Sequence, residues 1–160
     1  MSEKDTLLNT WEREFQTTLK VLKAYPSERQ EYRPHEKSRS AKELAWTFVV
    51  EEKTAIVGAL SGQIDFQPST PLQHMKDVIS EYEKSHRESV VKFKTLSEED
   101  LHKTVKFPVG PQKMGDFRII DVLWIVVMDM IHHRGQFSVY LRLAGGKVPS
   151  IYGPTADEPW

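Results

Sequence analysis

Cysteine is absent from the 160 residues, which excludes disulfides, thiolate metal ligands and a cysteine nucleophile. Any thiol chemistry must therefore arrive with a cosubstrate. No apolar run approaches the ~18 residues that a membrane-spanning helix needs, and the opening residues Met1-Ser2-Glu3-Lys4-Asp5 are polar with no hydrophobic leader. The expectation is a cytoplasmic protein with no membrane partner. An excess of one charge is also missing. The 22 Lys and Arg are balanced by 23 Asp and Glu, the net charge is −1, and no basic face stands out, which argues against a nucleic-acid partner. No internal repeat or low-complexity tract divides the chain, so a single domain over residues 1–160 is expected, long enough to bury one core.

Helical periodicity is what the chain does have. Leu8, Trp11, Phe15, Leu19 and Leu22 step by three and four, which predicts a first helix ending before Pro26. Ser38 or Ser40 is placed to cap a second helix from Ala41 to Leu60, stopped at Ser61-Gly62. After a loop containing Pro68, Pro71 suits the first turn of a third helix marked by Leu72, Met75, Ile79, Tyr82, His86, Val90 and Phe93. Ser97-Glu98-Glu99-Asp100 reads as the cap of a short helical turn. The segment from Val105 to Phe117, with Pro108, Gly110, Pro111 and Gly115, reads as an irregular connection to a last long helix, Ile119 to Ala144, which Gly145-Gly146 ends. The pattern predicts an all-α four-helix bundle with long crossover loops and no sheet core.

Chemistry concentrates on the last helix. Asp129, His133 and either Gln136 or Phe137 share one stripe, because positions four apart lie above one another. The apolar neighbours from Trp124 to Ile131 and Tyr140 imply that this stripe faces inward. A carboxylate and an imidazole buried together need each other or a third partner, since an unpaired buried charge costs several kcal/mol or more.

The run Asp129-x-x-x-His133-Arg134-Gly135-Gln136, then Tyr140-Leu141-Arg142, Gly145-Gly146, Val148-Pro149 and Tyr152-Gly153-Pro154, resembles the C-terminal signature of the DinB/YfiT-like superfamily. That resemblance implies a four-helix bundle holding a divalent metal with three histidines, one on the second helix and an H-x-x-x-H pair on the last. Two of those positions differ here. Asp129 stands where the first histidine of the pair is expected, and Thr47, a poor ligand for a divalent ion, falls where the second-helix histidine is expected. His133 is retained. One turn beyond Thr47 lie Glu51 and Glu52, of which Glu51 is the first choice. Glu51, Asp129 and His133 would offer two carboxylates and an imidazole, a facial set suited to Zn, Ni, Fe or Mn with positions left open. The other reading is a metal-free hydrogen-bonded cluster of the same three side chains. The resemblance further implies metal-assisted transfer or isomerisation using a low-molecular-weight thiol. Metal-assisted hydrolysis is equally compatible with the donor set. A homodimer formed through the exposed sides of the first and last helices is also implied; the contrasting class is a non-catalytic bundle that binds a small ligand or itself.

Arg134 and Gln136 are candidate substrate contacts. Arg134 and Arg142 alternatively pair with acids such as Asp121, Glu51 or Glu52. His86, on the apolar stripe of the third helix, reads as a core histidine satisfied by a neighbour or as a replacement imidazole. His132 points about 100° away from His133 and reads as a packing or supporting residue. His35, His74 and His102 are expected in solvent, Trp46 and Trp124 in the core, and the tail from Tyr152 to Trp160 folded back over the helices.

Overall fold

The computed structural model of the protein describes residues 1–159. Its elements in order are α1 (Glu3–Lys23), α2 (Ala41–Ser61), α3 (Met75–Thr95), a single turn α4 (Glu98–Leu101), β1 (Thr104–Gly110), β2 (Lys113–Arg118) and α5 (Ile119–Leu143), with a 3-10 turn at Ser27–Arg29. The protein is thus mostly helical with a small two-stranded sheet. Ser2, Ser40 and Ser97 each close a reciprocal capping box, with Asp5, Glu43 and Asp100 respectively, so the first free N–H groups of α1, α2 and α4 have acceptors. Gly62, at φ 87°, supplies the left-handed C-cap of α2, a conformation in which a Cβ would be strained.

The helix α2 packs against both α3 and α5, and α1 covers the other side against the same two helices. That packing explains the composition of α2: Leu44, Phe48 and Ile56 fill the interior, and Ala41, Ala45, Ala55, Gly58 and Ala59 let neighbouring elements come close. Gly58 is required by such an approach, because a Cβ there would stand 2.3 Å from the Ile64 side chain. Phe48, Tyr82, Phe93 and Phe137 are fully buried; truncating one such ring to alanine costs about 3–5 kcal/mol. No helix of the described residues is long and apolar enough to cross a membrane.

Residues 104–118 differ from the expected irregular connection. They form an antiparallel hairpin in which Val105 faces Phe117 and Phe107 faces Gly115, with an irregularity between Pro108 and Gly110. Pro108, Gly110 and Pro111 sit at that irregularity and at a turn where Gln112 adopts φ 56°, Gly115 lies within β2, and the flanking apolar residues alternate as strand residues do. Lys106 anchors the hairpin to the end of α2 through Ile64 N–H to Lys106 O (2.8 Å) and Lys106 N–H to Gly62 O (3.0 Å). The helix α3 begins at Met75, four residues after the proline expected to open it. The C-terminal segment folds back as expected, held by Arg142–Asp157 (2.6 Å) and Lys20–Glu158 (2.8 Å); Trp160, also expected there, lies outside the described residues.

Candidate functional site

Glu51 on α2 and Asp129 and His133 on α5 converge, with one ligand atom from each lying within 4.8 Å of the others. The packing of α2 on α5 brings them together. The face of α5 that enters the core carries Val126, Met130, Arg134, Phe137 and Leu141, so Asp129 and His133 stand at the edge of that face. This corrects the expectation of a fully inward stripe. The side chain of Asp129 is half exposed and that of His133 mostly covered, while Arg134, the next residue, takes the buried position.

His133 Nδ1 lies 3.0 Å from the backbone carbonyl of Asp129. A donated bond there leaves Nε2 with its lone pair free, the tautomer a metal-ligating imidazole uses. That Nε2 is 3.7 Å from Glu51 Oε1, too far for a hydrogen bond. The other oxygen of Glu51, Oε2, is buried without a hydrogen-bond partner. Ligands bound at ~2.1 Å to one cation stand roughly 3–4 Å from each other, so the three groups are spaced for a shared ion after a small closing movement. Burial first, and then the charge of Asp129, pushes the Glu51 carboxyl up to about 8 from 4.5, with Arg39 opposing more weakly. Glu51 therefore holds a proton at neutral pH unless a cation displaces it. The orphaned oxygen, the free Nε2 and the N,O,O donor set fit a divalent ion.

The cluster opens onto a cleft of about 870 Å³ that Glu51 and Asp129 line. One wall is apolar, from Trp46, Phe66, Phe107 and Ile125, with the two phenylalanines edge to face at 6.1 Å. Arg39 and Thr47 also line the cleft. The Arg39 guanidinium donates to Thr47 Oγ1 at 2.7 Å, and the Thr47 hydroxyl donates to the carbonyl of Glu43 at 3.2 Å. Thr47, where a histidine was expected, thus orients an arginine toward the cluster. Sequence reasoning missed Arg39, which sits in a polar loop with no periodicity; the unexpected hydroxyl at Thr47 was the only sign that something else occupies this wall.

The remaining candidates are dispersed. Glu52 turns away from Glu51 into the core, fully buried, where His86 Nδ1 meets its Oε1 at 2.8 Å. His86 stacks on Phe15 with ring centres 3.6 Å apart, so it is the neighbour-satisfied core histidine. Arg134, expected as a substrate contact or as a partner of Asp121, Glu51 or Glu52, is 2% exposed. Its donors are taken up by Glu14 Oε2 at 2.8 Å, Glu14 O at 3.2 Å and the Tyr152 hydroxyl. At Glu14 burial works to raise the carboxyl, but the hydrogen bonds from Tyr152 and Arg134 and the arginine charge outweigh it and hold the group low. Arg142 pairs with Asp157 and Asp121 with Arg118. Gln136 is exposed beside a second groove that His133, Arg39 and Tyr140 also line. Its amide donates to His132 Nε2 at 2.8 Å, and His132 is itself exposed. His35, His74 and His102 are exposed, while Trp46 and Trp124 are half-buried and only border the core.

A model of the DinB family matches residues 1–159. A curated relative, an uncharacterized protein named YrdA from Bacillus subtilis (strain 168), is 26% identical over 161 residues, which span 96% of this chain and 90% of that protein. The fold is similar to the crystal structure of a DinB-like protein from Bacillus cereus ATCC 10987, with TM-score 0.77 at 22% identity over 92% of this chain and 97% of that one. It is also similar to that of a DinB-like protein of Bacillus subtilis, YjoA, with TM-score 0.74 at 20% identity over 91% and 96%. With the family match running through every described residue, the chain belongs to the DinB family.

Proposed function

We propose that this protein is a divalent-metal-dependent enzyme of the DinB-like type, a single-domain four-helix bundle in which Glu51, Asp129 and His133 hold one ion at the floor of the cleft. The observation that carries the reading is the gap of 3.7 Å between His133 Nε2 and Glu51 Oε1, with the second Glu51 oxygen unpartnered: too wide for a closed pair and suited to two ligands of one cation. A bound divalent ion supplies Lewis acidity, polarising a carbonyl or leaving group and easing deprotonation of a water or thiol. Two carboxylates neutralise its charge more fully than imidazoles do, so the ion is a weaker Lewis acid than in a three-histidine site, and its identity is drawn from Zn, Ni, Fe and Mn.

The chain's own residues do the rest. Asp129, half exposed, is placed to ligate while remaining open to the cleft. Glu51 exchanges its proton for the ion. The backbone carbonyl of Asp129 holds the His133 ring in register. Gln136 and Arg39, beside His133 in the adjoining groove, are the polar contacts nearest an incoming small molecule, whereas Arg134, closed on Glu14, supports α5. The reaction is transfer or isomerisation with a thiol cosubstrate, or hydrolysis. The protein works in the cytoplasm as a homodimer, whose contact is supported by Met128, Val139 and Leu143 exposed along α5; sedimentation of a Met128→Glu variant tests that contact.

The metal-free alternative is favoured by the burial of the Glu51 carboxyl beside Asp129, which pushes it up to about 8 and lets a proton take the place of the ion. Elemental analysis of untagged protein purified without chelator separates the two. Metal near one equivalent per chain, lost in Asp129→Ala and His133→Ala, supports the metalloenzyme; no metal in any sample, and none taken up on addition, supports the proton-filled cluster.

A further inference from the structure

We infer that the cleft selects organic acids with an apolar body, whose carboxylate or equivalent anionic group pairs with Arg39 beside the Glu51, Asp129 and His133 cluster. The inference deepens the proposed function by naming a substrate class, and it rests on that reading only for what happens after binding. Arg33 and Arg39 both line the cleft, but they differ. Arg33 is engaged by Glu43 at 2.9 Å and by the carbonyl of Ser38 at 2.7 Å. The Arg39 guanidinium has one bond, to Thr47, and among the described residues no carboxylate pairs with it. Its remaining donors are free, while Thr47 fixes which way the fork points.

Arg39 is exposed to solvent, so its contribution comes from geometry: an arginine fork matches a carboxylate in two parallel bonds. Other residues lining the cleft supply the apolar complement. Trp46, Phe66 and Phe107 are half-buried around the cleft, and the Trp46 indole N–H is anchored on Ser69 Oγ at 3.0 Å, so its ring face is held in place. Lys37 also lines the cleft, but Arg39 is the cation that a side-chain bond orients, and aromatic residues with an oriented arginine suit an amphiphilic anion, because the rings contribute area and the arginine contributes orientation. Neutral or cationic molecules of the same shape would leave Arg39 without its partner.

The test uses phenylacetate and 2-naphthylacetate, each against its neutral amide, titrated into the metal-free and the zinc-loaded protein. The readout is the indole N–H resonance of Trp46, assigned with Trp46→Phe. Each acid is expected to bind about tenfold or more tightly than its amide, a preference that Arg39→Gln removes and Arg39→Lys restores in part. Arg39→Gln keeps Glu51, Asp129 and His133, so it should still take up one equivalent of zinc. Equal binding of acid and amide, failure of both acids to bind either form, or an unchanged acid preference in Arg39→Gln would overturn the inference. Failure of zinc to bind the wild type would instead strike the metal site, and the metal-free titrations would still decide the role of Arg39.

Discussion

Glu51 and Glu52 are neighbours on α2, both buried, each facing an imidazole, and they end in opposite situations. Glu52 meets His86 at 2.8 Å inside an aromatic box of Trp11 and Phe15. Glu51 meets His133 at 3.7 Å at the edge of a cleft, with a second carboxylate beside it. A helix turns about 100° per residue, so adjacent glutamates reach different sides of α2: one lies toward α1 and α3, the other toward α5. The contrast teaches that a buried acid beside a histidine is not itself a site. Each glutamate leaves one oxygen without a partner, but Glu52 closes on its imidazole with the other and stabilises, whereas the open set holds its groups apart at the edge of a cleft and is complete only with something added.

The comparison is broken most forcefully by removing each histidine in turn. His86→Ala leaves Glu52 fully buried without its partner and should destabilise the protein by about 3–5 kcal/mol. His133→Ala, at a partly open and unclosed pair, should cost under about 1 kcal/mol in the metal-free protein. Urea unfolding of both variants reads the difference, and equal losses would contradict it. Metal affinity should invert the order: Asp129→Ala and His133→Ala each weaken zinc binding by at least about a hundredfold, since even an outer-shell partner is worth ten- to a hundredfold. The nearly isosteric Glu52→Gln should leave it unchanged in calorimetric titration.

A pH series sharpens the same contrast. The folded Glu51 carboxyl is raised from 4.5 to about 8, so between these values the folded state binds more protons than the unfolded chain. Its contribution is then fully present at low pH and lost as pH rises through about 8. The metal-free wild type should therefore lose melting temperature relative to Glu51→Gln between about pH 5 and about pH 9, and zinc should reverse that loss by taking the place of the proton. Parallel profiles in the two proteins would show that Glu51 does not carry the raised group. The smallest expected effect is at the third acid, Glu14. Tyr152→Phe removes the hydroxyl that bridges Arg134 and Glu14 and should cost about 1 kcal/mol, with faster proteolysis of the C-terminal segment.

Much of the scaffold was legible because its signals are local. The three and four spacing of Trp11, Phe15 and Leu19 marked α1, the Ser40 and Ser97 caps marked starts, and the Gly62 and Gly145 positions marked stops. The hairpin at 104–118 was hidden by Pro108 and Gly110, which carry the same composition in a turn or a bulge as in an irregular loop. At the site, Glu51, Asp129 and His133 could be named from helical spacing and resemblance together. The rotation of α5 could not, because it depends on Arg134 finding Glu14, 120 residues earlier. Likewise the stripe position of His86 announced a satisfied histidine, while its partner Glu52, 34 residues away, is fixed only by the packing of α2 on α3. Arg39 was invisible for a related reason: a loop residue acquires meaning from the wall it faces, and that wall is assembled from α2, the 66–71 loop and β1.

X-ray absorption at the zinc edge of protein loaded with one equivalent tests the open set most directly. The account predicts one imidazole with the remaining donors oxygen at about 2.0–2.2 Å, the imidazole signal vanishing in His133→Ala and the spectrum unaltered in Glu52→Gln. Two or more imidazoles, or a spectrum that His133→Ala leaves unchanged, would contradict it.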